Sequence, residues 1–144
     1  MATKKAQEEL ALNMERWQRV EKETVEFVGK IIEQSDNPIV KHVLRIIQHD
    51  SEMHHKTQEL ILDSLRGTIS LSPEEIGTVW DLIEKHIKME EAAVEMAEAC
   101  KRIIKDRSMP VQAYLIEYLL QDEQKHDNLL EGLGNIQKKM YPYG

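Results

Sequence analysis

The chain has one cysteine among its 144 residues. Cys100 alone can form no intrachain disulfide and no Cys-x-x-Cys metal knuckle. Proline and glycine are scarce, at four and six, so there are few points at which a helix is forced to stop. No apolar run approaches the ~20 residues that a membrane-spanning helix needs. A basic excess is also missing. With a net charge of −7 the chain has no face that would offset phosphates, which argues against nucleic acid as a partner. The opening Met-Ala-Thr-Lys-Lys-Ala-Gln-Glu-Glu holds no apolar segment of signal-peptide type, and a cytoplasmic location is expected. No Ser-His-Asp arrangement, phosphate loop or nucleotide fingerprint occurs. Hydrophobic residues make up 41% and charged residues 31%, the profile of a compact helical protein with one domain and one core.

The punctuation predicts four helices, over about residues 3–33, 38–65, 73–105 and 110–140. Ser35-Asp36-Asn37-Pro38 ends the first and starts the second, with proline suited to the first helical turn. Arg66-Gly67 breaks the second. Ser72-Pro73-Glu74-Glu75 reads as a capping box that opens the third, and Gly77 is a weak point just inside it. Arg107-Ser108-Met109-Pro110 separates the third from the fourth, whose last third Gly132 and Gly134 loosen. The expected fold is all-α, an antiparallel four-helix bundle. Its connectivity stays open. Residues 66–72 span at most ~24 Å beside helices of ~40 Å, which suits a plain up-down-up-down bundle; a long crossover would need residues 73–78 as well.

The pattern is also duplicated. Shifted by 72 residues, residues 31–61 lie on residues 103–133 without a gap. Ile31-Ile32 meets Ile103-Ile104, Pro38 meets Pro110, Asp50 meets Asp122, His54 meets His126 and Glu59 meets Glu131. This is the signature of a repeated helical hairpin, since one hairpin cannot bury its own apolar face.

Each residue turns a helix by about 100°, so faces follow from counting. Glu21, His54, Glu90, Glu123 and His126 all fall where an aliphatic side chain is expected. An uncompensated buried charge costs roughly several kcal/mol, so such groups on four helices suggest a metal ion. The second helix contains a literal Glu-x-x-His, Glu52–His55. Counting places Glu52 in the polar arc with Lys56, whereas Ser51, His54 and Gln58 lie on the inner stripe. The repeat agrees, matching Asp50-Ser51-x-x-His54 to Asp122-Glu123-x-x-His126. His54 is therefore the preferred candidate, with Glu52 and His55 as the alternative register. His86, one turn before Glu90, is either a further ligand or base or a satisfied core histidine. Gln58 can orient a ligand or bond a neighbouring helix. Two further apolar lines recur every seven residues, Ile39, Ile46, Met53 and Leu60 on the second helix and Leu82, Met89, Met96 and Ile103 on the third. They either widen the core or form a homodimer seam.

Carboxylates with imidazoles suit Fe(II), Mn(II) or Zn(II), not copper(I) or clusters. Di-iron bundle proteins take one Glu from each of two helices and a Glu-x-x-His from each of the other two. In Asp122-Glu123-Gln124-Lys125-His126, with Glu90 33 residues before Glu123, the chain resembles the ferritin-like superfamily, especially its rubrerythrin and bacterioferritin branch. The resemblance covers nearly the whole chain. It implies that Glu90, Glu123 and His126 are metal ligands and that Asp122, with Asp50 at the matching position, supports an imidazole. Glu21 and His54 would serve the other half. It further implies iron or manganese, one ion or two, an oxygen- or peroxide-related or iron-handling role, and an unidentified electron donor if the protein is redox-active. The chain departs from that pattern at Ser51, where the first hairpin should carry Glu. It departs also at Gln18, 33 residues before Ser51, with Glu21 one turn further on. No cysteine-rich electron-transfer domain is present, so a complete rubrerythrin is not expected. The alternative is a ferritin-like structural or interaction bundle that has lost its metal centre and acts as a homodimer.

Overall fold

The computed structural model describes residues 3–139. Among these the chain is all-helical, with five helices: α1 (Lys4–Gln34), α2 (Pro38–Leu65), α3 (Pro73–Gly77), α4 (Trp80–Ile104) and α5 (Pro110–Gln137). They form two compact units that meet in sequence at Ser70–Leu71.

The first unit is a hairpin of α1 on α2. Thr3 caps α1 by accepting from the amide of Ala6. The turn works because Asn37 Oδ1 accepts from the amides of Ile39 and Val40 while Pro38, at the first position, has no amide to satisfy. Between the helices Met14, Val28 and Leu62 are buried, and so are Glu21, Ser51 and Gln58. A seam in which polar groups match apolar ones in number has weak hydrophobic support and calls for hydrogen bonding across it. Gln48 supplies one such bond to the carbonyl of Val25 at 3.1 Å.

The second unit packs α3, α4 and α5 together. Ser72 and Glu75 form the reciprocal capping box. The third expected helix is nevertheless two helices. Gly77 and the β-branched Thr78 and Val79 are weak helix formers, and Val79 leaves helical geometry at φ −118°, ψ 7°. Ile76, Ala97, Leu120 and Gly134 are buried, with Glu90 among them. Lys101 on α4 pairs with Glu117 on α5 at 3.0 Å and holds that carboxyl below its usual range.

The break before α4 seats Trp80 on the backbone of α5. A Cβ added at Gly134 would lie 2.9 Å from the Trp80 ring, while one at Gly132 would meet nothing. Gly134→Ala is therefore expected to destabilise this unit by about 1–3 kcal/mol through overpacking. Gly132→Ala should instead stabilise it by about 0.5–1 kcal/mol through helix propensity. Urea denaturation followed by Trp80 fluorescence measures both.

Candidate metal centre

Within the second unit the candidate residues converge. Glu90 projects from the middle of α4, and Glu123 and His126 stand three residues apart on α5, so that both point to the same side of that helix. One ligand atom from each of Glu90, Glu123 and His126 lies within 4.8 Å of the others. Glu90 is 8% exposed, and Glu123 and His126 are half-buried.

The orientation of His126 carries most of the chemistry. Its Nε2 lies 3.3 Å from Asp122 Oδ2, one turn back on α5. Its Nδ1 lies 3.5 Å from Glu90 Oε2 and 3.8 Å from Glu123 Oε2. If the one proton of neutral His126 is on Nε2, donated to Asp122, then Nδ1 presents a lone pair to two carboxylates. Such an arrangement repels itself unless a proton or a metal cation sits among the three groups. Asp122 is itself held by Lys125 at 2.9 Å. This acid-supported imidazole is the arrangement by which a protein aims a histidine at a metal.

Glu90 is held from both ends. Its Oε1 accepts from His86 Nε2 at 2.8 Å. Its buried Oε2 receives no hydrogen bond from a nitrogen or hydroxyl donor. The Glu123 carboxyl lies beside Glu90, close enough for the two to share a hydrogen bond. This holds Glu90 below the ordinary carboxylate range, against the opposing effect of burial and with help from His126 and His86. The same bond to Glu90, together with burial, pushes Glu123 up. The proton affinities of the two carboxyls are thus driven apart, as in other closely coupled carboxyl pairs.

The first unit places its candidates differently. Buried Glu21 meets His54 Nδ1 at 3.3 Å, with His54 more than half exposed. Ser51 and Gln58 share that face of α2 and are buried, and Gln58 Oε1 has no hydrogen-bond partner. Asp50 is half-buried and makes no ion pair with His54, unlike Asp122 with His126. Glu52 and His55 are exposed and line a cleft of about 280 Å³ with Glu21, Lys22 and Ser51. His54, not His55, is the histidine against Glu21. Gln18, which stands at the repeat position of Glu90, donates to Glu59 Oε2 at 2.9 Å and to the carbonyl of His55. Carboxylate and imidazole donors are thus gathered in threes on α4 and α5, and in a pair on α1 and α2.

No protein-family model, curated protein or solved structure matches the chain.

Proposed function

We propose that the second hairpin binds a divalent transition metal, iron or manganese, through Glu90, Glu123 and His126. The observation that supports this reading is the meeting of His126 Nδ1, the buried Glu90 Oε2 and the Glu123 carboxyl at one point. Two carboxylates and one imidazole are a donor set for Fe(II), Mn(II) or Zn(II). Asp122 fixes the ring, and His86 anchors the far oxygen of Glu90 so that Oε2 faces inward. A bound iron or manganese would supply one-electron chemistry toward oxygen or peroxide. The ferritin-like resemblance, with its antiparallel four-helix bundle, belongs to the same proposal, and so do Glu21 and His54 as candidate donors within the first hairpin.

Metal analysis of protein purified from cells grown with added iron, and separately with added manganese, tests the reading. At least one ion per chain is expected, with His126→Ala lowering metal content about tenfold or more, in line with loss of a direct ligand. Substoichiometric metal that His126→Ala leaves unchanged would remove the idea.

One observation favours a second reading, an internal ion network without metal. Glu90 already has a histidine at 2.8 Å and another at 3.5 Å, and Ser51 stands where the first hairpin would need a carboxylate. In that case the side chains around Glu90 and Glu123 satisfy one another without an ion. The same analysis then finds no metal, and Glu90→Leu with His126→Leu leaves a folded protein.

A further inference from the structure

Helix α4 has a second face that the site does not use. Leu82, Met89, Met96 and Ile103 follow one another at intervals of seven residues, and their exposures are 68%, 65%, 68% and 68%. Counting around the helix puts this line about a quarter-turn or more round from buried Glu90 and Ala97. Ala92 and Ala99 fall between its members, at the small positions of a heptad. A contiguous stripe of large apolar side chains on an exposed helix marks an interaction surface, and the seven-residue spacing is that of a helix pairing with another helix.

The charges along one flank say which helix. Asp81, Lys88, Glu95 and Arg102 also recur every seven residues; all are exposed, and none has an ion-pair partner among the described residues. When two copies of a helix run antiparallel about a two-fold axis, this flank meets itself. With the axis near residues 90–91, Asp81 lies across from Arg102 of the second copy and Lys88 across from Glu95 of the second copy. Symmetry repeats each pair, so every charge on the flank is matched. In the same register Leu82 packs on Ala99 of the second copy and Met89 on Ala92 of the second copy, large against small. Lys85 meets Met96 of the second copy, its methylene stem over the thioether and its ammonium at the rim.

The alternatives are disfavoured by the same residues. A slip of one heptad in one direction sets Lys88 against Arg102 and Glu95 against Glu95. A slip in the other sets Asp81 against Glu95 and Lys88 against Lys88. Parallel pairing brings the flank against His86, Ala93, Cys100 and Arg107, which offer no acid to Lys88 or Arg102, leave Glu95 without a base and set Arg107 opposite Arg102; only Asp81, opposite His86, would find a base. One register in one direction satisfies the row, and repulsion guards its neighbours.

We propose that α4 is the seam of an antiparallel homodimer, with Leu82, Met89 and Met96 at its centre, Ile103 at its end, and the Asp81–Arg102 and Lys88–Glu95 pairs along its edge. The seam is independent of the metal reading, since none of these residues is a proposed ligand. Sedimentation equilibrium of the purified chain over a concentration series is the test. The wild-type chain is expected to dimerise. Lys88→Glu turns two attractive pairs repulsive and should weaken the dimer roughly tenfold to a hundredfold. Lys88→Glu combined with Glu95→Lys restores opposite charges only in the antiparallel register, and its dissociation constant should return to within about threefold of wild type. Met89→Lys should dissociate the dimer while circular dichroism shows the helices intact. A chain that stays monomeric at every concentration overturns the proposal. So does a dimer whose weakening by Lys88→Glu the second charge reversal fails to repair.

Discussion

Fe(II) or Mn(II) added to the metal-free protein is expected to raise the thermal midpoint of the 144-residue chain by about 10 °C, and Glu90→Leu is expected to abolish the rise. A ligand that binds only the folded form at about a thousand times its dissociation constant contributes about 4 kcal/mol. In a domain of this size each kcal/mol moves the midpoint by roughly 2–4 °C. Trp80 gives a local reading, because its ring packs on Gly134 of α5 and its Nε1 donates to Glu84 at 2.9 Å. Trp17 lies on α1, in the other hairpin, so Trp17→Phe leaves fluorescence that reports the second unit alone. Glu90 is the residue to remove because its Oε2 is the buried oxygen of the three proposed ligand groups. Leucine fills the same space without a donor atom. No shift in the wild-type chain, or an equal shift in Glu90→Leu, would count against metal at this point.

In the absence of metal the same variant should have the opposite effect on stability. Glu90→Leu is expected to make the metal-free protein more stable by about 1–3 kcal/mol, whereas His86→Ala with His126→Ala should cost about 3 kcal/mol. The asymmetry follows from burial. Glu90 is 8% exposed, while the side chains of His86 and His126 are 53% and 40% exposed. Removing the acid leaves two imidazoles that water can reach. Removing the imidazoles leaves an acid that water cannot reach, beside a second carboxyl. An acid that weakens the empty protein and stabilises the loaded one behaves as a binding residue rather than a structural one. Urea denaturation in the presence of a chelator measures both variants. A Glu90→Leu protein less stable than the double histidine variant would show that the ion network itself holds the hairpin together.

Local chemistry made the helix boundaries legible. Pro38 and Pro110 stand at first helical positions, and the Ser72–Glu75 box is formed between residues three apart; such signals need no distant partner to act. Gly77 marked a weak point in the same way. That the chain breaks there outright goes with the seating of Trp80 on Gly134, 54 positions away along the chain, which no local signal announces. Counting turns also placed His54 rather than His55 toward α1, because one residue rotates a side chain by about 100° and so by most of a face.

The sequence by itself determined which residues share a helix face: Glu90 on one helix, Glu123 and His126 on another, and the heptad line of Leu82, Met89, Met96 and Ile103 apart from them. Backbone periodicity sets these relations before any packing occurs. Only the tertiary structure decided what the faces do to one another. It aimed His126 Nδ1 at two carboxyls and turned Nε2 to Asp122. It gave one oxygen of Glu90 to His86 and left the other without a donor, and it joined Gln18 to Glu59 across the first hairpin. These depend on side-chain rotamers and on the approach of two helices to within a few ångströms. A linear pattern holds no information at that scale, because the competing arrangements differ only in contacts that form once the chain has folded.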